Sequence, residues 1–182
     1  MNRAMRRCVI LLAIQPLCTA SASQATAPAP APTAPPVGDC TAPEKHQLDF
    51  WIGHWDVAVT GQAATIASSD IEALPGGCGI SEHYDSPEAP GGDYQGWSYS
   101  GYNRYDSQWH QMYLDSHGNV TWYTGELTGT SMVFTAPGRA GSLQRMSYIP
   151  GDDGSVRQLG ELSTDAGASW HPGYDYTYTP RH

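Results

Sequence analysis

Seven histidines are the first groups to test for chemistry: His46, His54, His83, His110, His117, His171 and His182. None stands in an HxH or HExxH arrangement that would bring two imidazoles to one metal ion, so no metal site is expected. The principal expectation is no cofactor. Haem is the alternative worth naming, because one axial histidine suffices for it and leaves little motif; His83 and His110, both mid-strand, are the candidates. No GxSxG nucleophile elbow occurs. Asp115 and Glu126 are the carboxylates to weigh for glycoside hydrolysis, but on the strand register below they lie roughly 20 Å apart at about 3.3 Å per residue, too far for such a pair. Arg145, Arg157 and Glu161 offer either an interior carboxylate-binding fork or a structural ion pair near the end of a sheet. No residue is expected to be catalytic, and an enzyme is the third-ranked function class.

Binding is the chemistry this pattern supports best. Residues 109–127, WHQMYLDSHGNVTWYTGEL, alternate along their length and carry a turn at His117-Gly118, the signal of a β-hairpin. A two-residue or a four-residue loop pairs Tyr113 with Trp122 and Asp115 with Val120; only an odd-numbered loop reverses the faces. On that register Trp109, Gln111, Tyr113 and Asp115 share a face with Val120, Trp122, Thr124 and Glu126. The opposite face carries His110, Met112 and Leu114 with Thr121, Tyr123 and Gly125. The first face sets apolar area beside a few polar groups, as a ligand-holding wall does. Trp109, Gln111, Tyr113, Trp122 and Thr124 are therefore expected to line an interior, with Arg145, Arg157 and Glu161 as further candidate ligand contacts.

The elements that must position this hairpin are short strands. The 182 residues include 20 Gly, 11 Tyr and 6 Trp but only 2 Phe. Aromatic and Thr-rich runs between Gly, Pro and Asp clusters favour an all-β domain. A strand is expected to begin at His54. Others follow over residues 64–74, 78–86, 95–105, 130–136, 143–149, 155–164 and 169–179, separated by turn signals such as Pro75-Gly76-Gly77 and Pro150-Gly151. A meander of this length is expected to close into an antiparallel up-and-down barrel of eight to ten strands, because closure removes exposed edges. Before it, residues 39–47 are expected to form a short helical cap. Trp51 and Trp55 are expected to be core plugs rather than ligand contacts.

The N-terminus carries an address. Arg3, Arg6 and Arg7 precede an apolar run over residues 9–17, too short to span a bilayer, and Ala20-Ser21-Ala22 fits signal-peptide cleavage. Residues 1–22 are expected to be a signal peptide, residues 23–38 a Pro/Ala-rich tether, and residues 39–182 the barrel domain. Lipid attachment at Cys18 is disfavoured by Gln15, Pro16 and Leu17 before it. Taking the three arginines from nine basic residues leaves six against 18 acidic ones, a formal net charge of −12. That argues against nucleic acid and against an anionic membrane surface. Two cysteines remain, Cys40 and Cys78, and an exported compartment lets them pair; their spacing excludes a CxxC site.

The stretches DFWIGHWDV, GGCGISEHY, WHQMYLD and DGSVRQLGELSTDAGASW, with the final Y-x-Y-x-Y, together resemble a lipocalin-like family of exported bacterial proteins catalogued as domain of unknown function 1579. The resemblance covers residues 47–179. It implies a calycin-type β-barrel and no established activity. Gly160 stands where the family often carries a large aromatic, which implies extra interior volume, and Ala166 stands where the family has Gly. The expected function is a non-enzymatic, monomeric, periplasmic or secreted barrel holding a small hydrophobic or amphipathic ligand. The alternative is a surface module that recognises a glycan or partner protein through Trp97, Tyr99 and Tyr102.

Overall fold

The computed structural model describes residues 39–181. The expected signal peptide and tether lie outside these residues. Ten strands follow one another: β1 (Gly53–Val59), β2 (Thr65–Ala73), β3 (Gly79–Ser86), β4 (Tyr94–Asn103), β5 (Gln108–Asp115), β6 (Val120–Thr128), β7 (Ser131–Pro137), β8 (Leu143–Pro150), β9 (Val156–Ser163) and β10 (His171–Pro180). Each pairs antiparallel with its sequence neighbours, and β1 pairs with β10 from Trp55 opposite Pro180 to Val59 opposite Tyr176. The result is a closed up-and-down barrel of ten strands, the architecture the alternation and turn spacing called for. Among the described residues no helix is long and apolar enough to cross a membrane.

Alternation along the strands decides which side chains enter. On β1 Trp55 and Val57 are buried, on β3 Ile80, Glu82 and Tyr84, and on β9 Val156, Gln158 and Gly160. Three inward glycines make room for large neighbours. A Cβ at Gly125 would sit 2.5 Å from the Phe134 ring opposite it, and one at Gly160 would sit 2.1 Å from Tyr174 opposite it. A Cβ at Gly96 would collide with Tyr113 in the same way. Aromatic rings thus occupy the space that glycine leaves on the facing strand. The expectation that Gly160 enlarges the interior is corrected: Tyr174 lies over it.

One end of the barrel is plugged. Two 3-10 turns, Pro43–His46 and Asp49–Trp51, lead the chain under the barrel and insert Leu48 and Trp51, both fully buried. Trp51 packs on Tyr148 with ring centroids 4.2 Å apart. Trp55 Nε1 donates to the Trp51 carbonyl, and Trp109 Nε1 donates to Gln47 Oε1 at 3.0 Å. Cys40 and Cys78 form a disulfide with Cα atoms 4.8 Å apart, within the usual span. It ties the start of the cap to the β2–β3 turn. The short cap and the core role of Trp51 and Trp55 are as the sequence implies. Ala166 adopts a φ of 57°, a left-handed conformation that glycine holds without strain.

Candidate functional site

The loops of an up-and-down barrel alternate between its ends. The β2–β3 turn lies at the plugged end, so the β3–β4, β5–β6 and β7–β8 loops lie at the other. There the barrel opens into a cavity of about 1330 Å³, rimmed by Glu88, Ala89, Pro90, Gly118, Asn119 and Arg139 from those three loops. Its wall is aromatic: Tyr84, Tyr94, Tyr113, Tyr123, Tyr174, Tyr176 and Tyr178, with Val59, Ile66 and Met146 between them. Tyr94 and Tyr113 join hydroxyls at 2.9 Å, and Tyr174 and Tyr176 stack with centroids 5.2 Å apart. Burial pushes the Tyr84, Tyr94, Tyr113 and Tyr174 hydroxyls above their ordinary range, so they remain neutral donors at physiological pH. The wall is thus apolar on its faces and hydrogen-bonding at its tips, a combination that suits an amphipathic guest.

A buried polar belt also crosses the barrel interior. Gln111 Nε2 donates to Ser100 Oγ at 2.9 Å. Gln158 Nε2 donates to the Tyr148 hydroxyl at 3.1 Å, and the Tyr178 hydroxyl donates to Gln158 Oε1 at 2.9 Å. Among the described residues Gln111 Oε1 is buried without a donor, and Trp51 Nε1 is buried without an acceptor. Glu82 lies in the same interior. It is 5% exposed, and its two oxygens accept from Ser69 at 3.1 Å and Ser98 at 3.0 Å. Burial raises its carboxyl from 4.5 to about 7, against the hydrogen bonds from Ser98 and Ser69. Its charge in turn raises the hydroxyls of Tyr84, Tyr94, Tyr113, Tyr148, Tyr174 and Tyr178. Among the described residues no lysine, arginine or histidine forms an ion pair with Glu82.

The hairpin register differs from the expected one by a single residue. Leu114 faces Val120, Met112 faces Trp122 and Gln111 faces Tyr123. The loop between Asp115 and Asn119 has three residues, with Gly118 at φ 81°. This is the odd-numbered case, stabilised by the Asp115 carboxylate accepting from the backbone N–H groups of His117 and Asn119. β5 keeps the expected face: Trp109, Gln111 and Tyr113 point inward. β6 is reversed: Thr121, Tyr123 and Gly125 point inward. Trp122, 67% exposed, and Thr124 lie on the outer face, and this corrects the expectation that they line the interior. Trp122 stands at the rim of the cavity and also borders a small outer cleft with Thr124 and Trp170.

The remaining candidates divide by depth and by side. Tyr113 lines the cavity; Gln111 belongs to the polar belt; Trp109 belongs to the plug. Arg145, Arg157 and Glu161 are corrected as interior contacts. Arg145 Nε pairs with Glu161 at 2.7 Å on the outer surface, its guanidinium 4.3 Å from the Trp170 ring centre, and Arg157 forms a two-point ion pair with Asp175. These neighbours on adjacent strands alternate with inward residues, so they staple the barrel from outside. The haem candidates are likewise outside: His83 stacks on Trp97 at 5.3 Å, and His110 bonds to Asp106 at 2.8 Å. Neither can ligate a haem in the cavity, and among the described residues no histidine lines it. Among the described residues no cluster of His, Cys, Asp and Glu is placed to hold a metal ion.

The sequence reading missed most of the wall. The alternating tyrosines of residues 174–178 carried the signal, since period-two repetition puts all three on one face. Ile80, Glu82 and Tyr84 carried another: a carboxyl between two large apolar residues on one strand face is a buried carboxyl. Comparison with protein-family models finds no match, and neither does comparison with curated proteins.

Proposed function

We propose that this chain is a non-enzymatic binding protein that holds a small hydrophobic or amphipathic molecule in the open half of its barrel. The observation that carries this reading is the tyrosine-walled cavity of about 1330 Å³ above a plugged floor. A barrel that served only as a scaffold gains nothing from an unfilled interior, because each void forfeits packing contacts. The N-terminal basic and apolar segments, the disulfide and the acidic balance of the chain support an exported, periplasmic or secreted, monomeric protein. The likeness of the quoted stretches to a lipocalin-like family of exported proteins supports the export and carries no activity with it. Native mass spectrometry of protein purified from its own host tests it: a retained small molecule is expected. Thr121→Trp, placed on the inward face of β6 at the cavity wall, is expected to abolish that retention while leaving the fold intact. Loss of neither mass nor affinity in this variant refutes an interior site.

A second reading has its own observation. Trp97 and Tyr99 are 37% and 54% exposed on the outer face of β4, and Trp122 joins them from β6, whereas Tyr102, expected with them, packs edge-on to Trp109 against the core. Exposed rings on one sheet face suit stacking on a glycan. Binding of a sugar polymer that Trp97→Ala abolishes and Thr121→Trp spares would favour this surface over the cavity.

A further inference from the structure

The charge around the cavity is net negative. Among the lining residues the charged side chains are Glu88, Asp115 and Arg139, all at the rim, and Arg139 is the only cation. The wall below them is built from aromatic faces, whose negative quadrupole attracts cations and repels anions. Glu82 lies behind this wall: its carboxylate accepts from the Ser69 and Ser98 hydroxyls and acts through space on the lining hydroxyls of Tyr84, Tyr94, Tyr113, Tyr174 and Tyr178. Outside, Arg145, Arg157 and Arg181 are each committed to a carboxylate at 2.6–2.7 Å, so they do not offset the interior. A buried carboxyl without a cation is a costly arrangement. An occupant of the cavity that brings a positive charge would relieve it through space, held against the tyrosine wall.

We propose that the cavity selects a cationic amphiphile, an organic amine with an apolar tail, over neutral and anionic molecules of the same size. This rests on the reading of the barrel as a ligand holder and names the ligand's charge class. The aromatic wall takes the tail and the flank of the ammonium group; the Glu82 carboxylate, behind that wall, favours its charge through space. Among the described residues the groups that interact with Glu82 are the two serines and the tyrosines already named, none of which carries a positive charge.

Isothermal titration of the purified protein at about pH 8 with octylamine, octanol and octanoate tests the proposal, since the three probes share a tail and differ in charge. Octylammonium is expected to bind at least tenfold more tightly than octanol, and octanoate more weakly than both. Glu82→Gln is expected to reduce octylammonium affinity about tenfold, the order set by one charge acting across a protein interior of effective dielectric about 20, and to leave octanol unchanged. Tyr94→Leu, which removes one aromatic face, is expected to weaken octylammonium more than octanol. Binding of all three probes with equal affinity overturns the charge selection and leaves the ligand-holding reading standing. A cation preference unchanged in both variants overturns the assignment to these residues. Failure of all three to bind overturns both readings.

Discussion

Replacing Glu82 by Gln is expected to change the pH dependence of folding in a defined window. The carboxyl is buried and its oxygens accept only from Ser69 and Ser98, so burial holds its proton up to about 7 in the folded chain. In the unfolded chain the same group loses its proton near 4.5. Below 4.5 both states are protonated and the residue imposes no penalty. Between 4.5 and about 7 the unfolded chain ionises while the folded one does not, so stability falls as pH rises. Above about 7 both states are ionised and the loss is complete. At about 1.4 kcal/mol per pH unit, the loss across the window is about 3 kcal/mol. Gln keeps the shape and can still accept from one serine, but it does not titrate.

Urea denaturation of both proteins at intervals between about pH 4 and about pH 8.5 measures the effect. The quantity to follow is the difference between the two stabilities at each pH. Other titrating groups are common to both chains and drop out of it. His46, raised by its hydrogen bond to Asp49, contributes a decline with rising pH to each, and Asp165, held at about 2 by hydrogen bonds from Ser169 and Ser163, contributes a loss below its ordinary range to each. The variant is expected to gain about 3 kcal/mol on the wild type from the acid to the alkaline end. Parallel profiles would refute the reasoning, because they would mean that Glu82 ionises in the fold as easily as in water.

Other perturbations probe the plug, the staple and the wall. Trp51→Ala removes a fully buried ring packed on Tyr148 and is expected to cost about 3–5 kcal/mol in chemical denaturation. Replacing both Cys40 and Cys78 by Ser opens a loop with a sequence separation of 38 and is expected to cost up to about 4 kcal/mol in the chain-entropy account, read as a lower midpoint that matches the reduced wild type. Gly125→Ala is expected to destabilise more than Gly160→Ala, because Phe134 is fully buried while Tyr174 borders the cavity and can swing into it. Thermal melts of the two variants check the order, and equal losses would mean that Tyr174 is as tightly held as Phe134.

Much of the fold was legible because it depends on signals that repeat. Period-two alternation and turn residues recur at every strand and mark β1 to β10 to within a few residues, and closure follows from the cost of leaving edges bare. The disulfide and the tryptophan plug were legible for a related reason: only two cysteines lie beyond the basic and apolar N-terminal stretch of residues 1–22, and three aromatics crowd residues 50–55. The cavity wall was harder to see. Tyrosine is at home on either face of a strand, so no single tyrosine announces a ligand, and Glu82 reads as an ordinary surface carboxyl unless its neighbours Ile80 and Tyr84 are counted with it.

Which face of β6 turns inward rests on much less: the number of residues in one loop. Between Asp115 and Asn119 the chain SHG forms a three-residue turn rather than a two-residue or four-residue one, and that parity exchanges Trp122 for Tyr123 in the interior. Hydrophobicity gave no warning, because a large aromatic stands at both positions. Asp115 and Gly118 held the information. An Asp whose carboxylate can accept from amides two and four residues on, followed by a glycine free to take φ 81°, favours the odd loop. Gly125 pointed the same way, since a glycine facing inward makes room for Phe134 on the neighbouring strand, whereas outside it would serve no packing purpose. Carried through the hairpin, those three residues place Trp122 on the rim, where it can meet a ligand entering the cavity or a partner on the outer face, and leave the cavity wall to tyrosines.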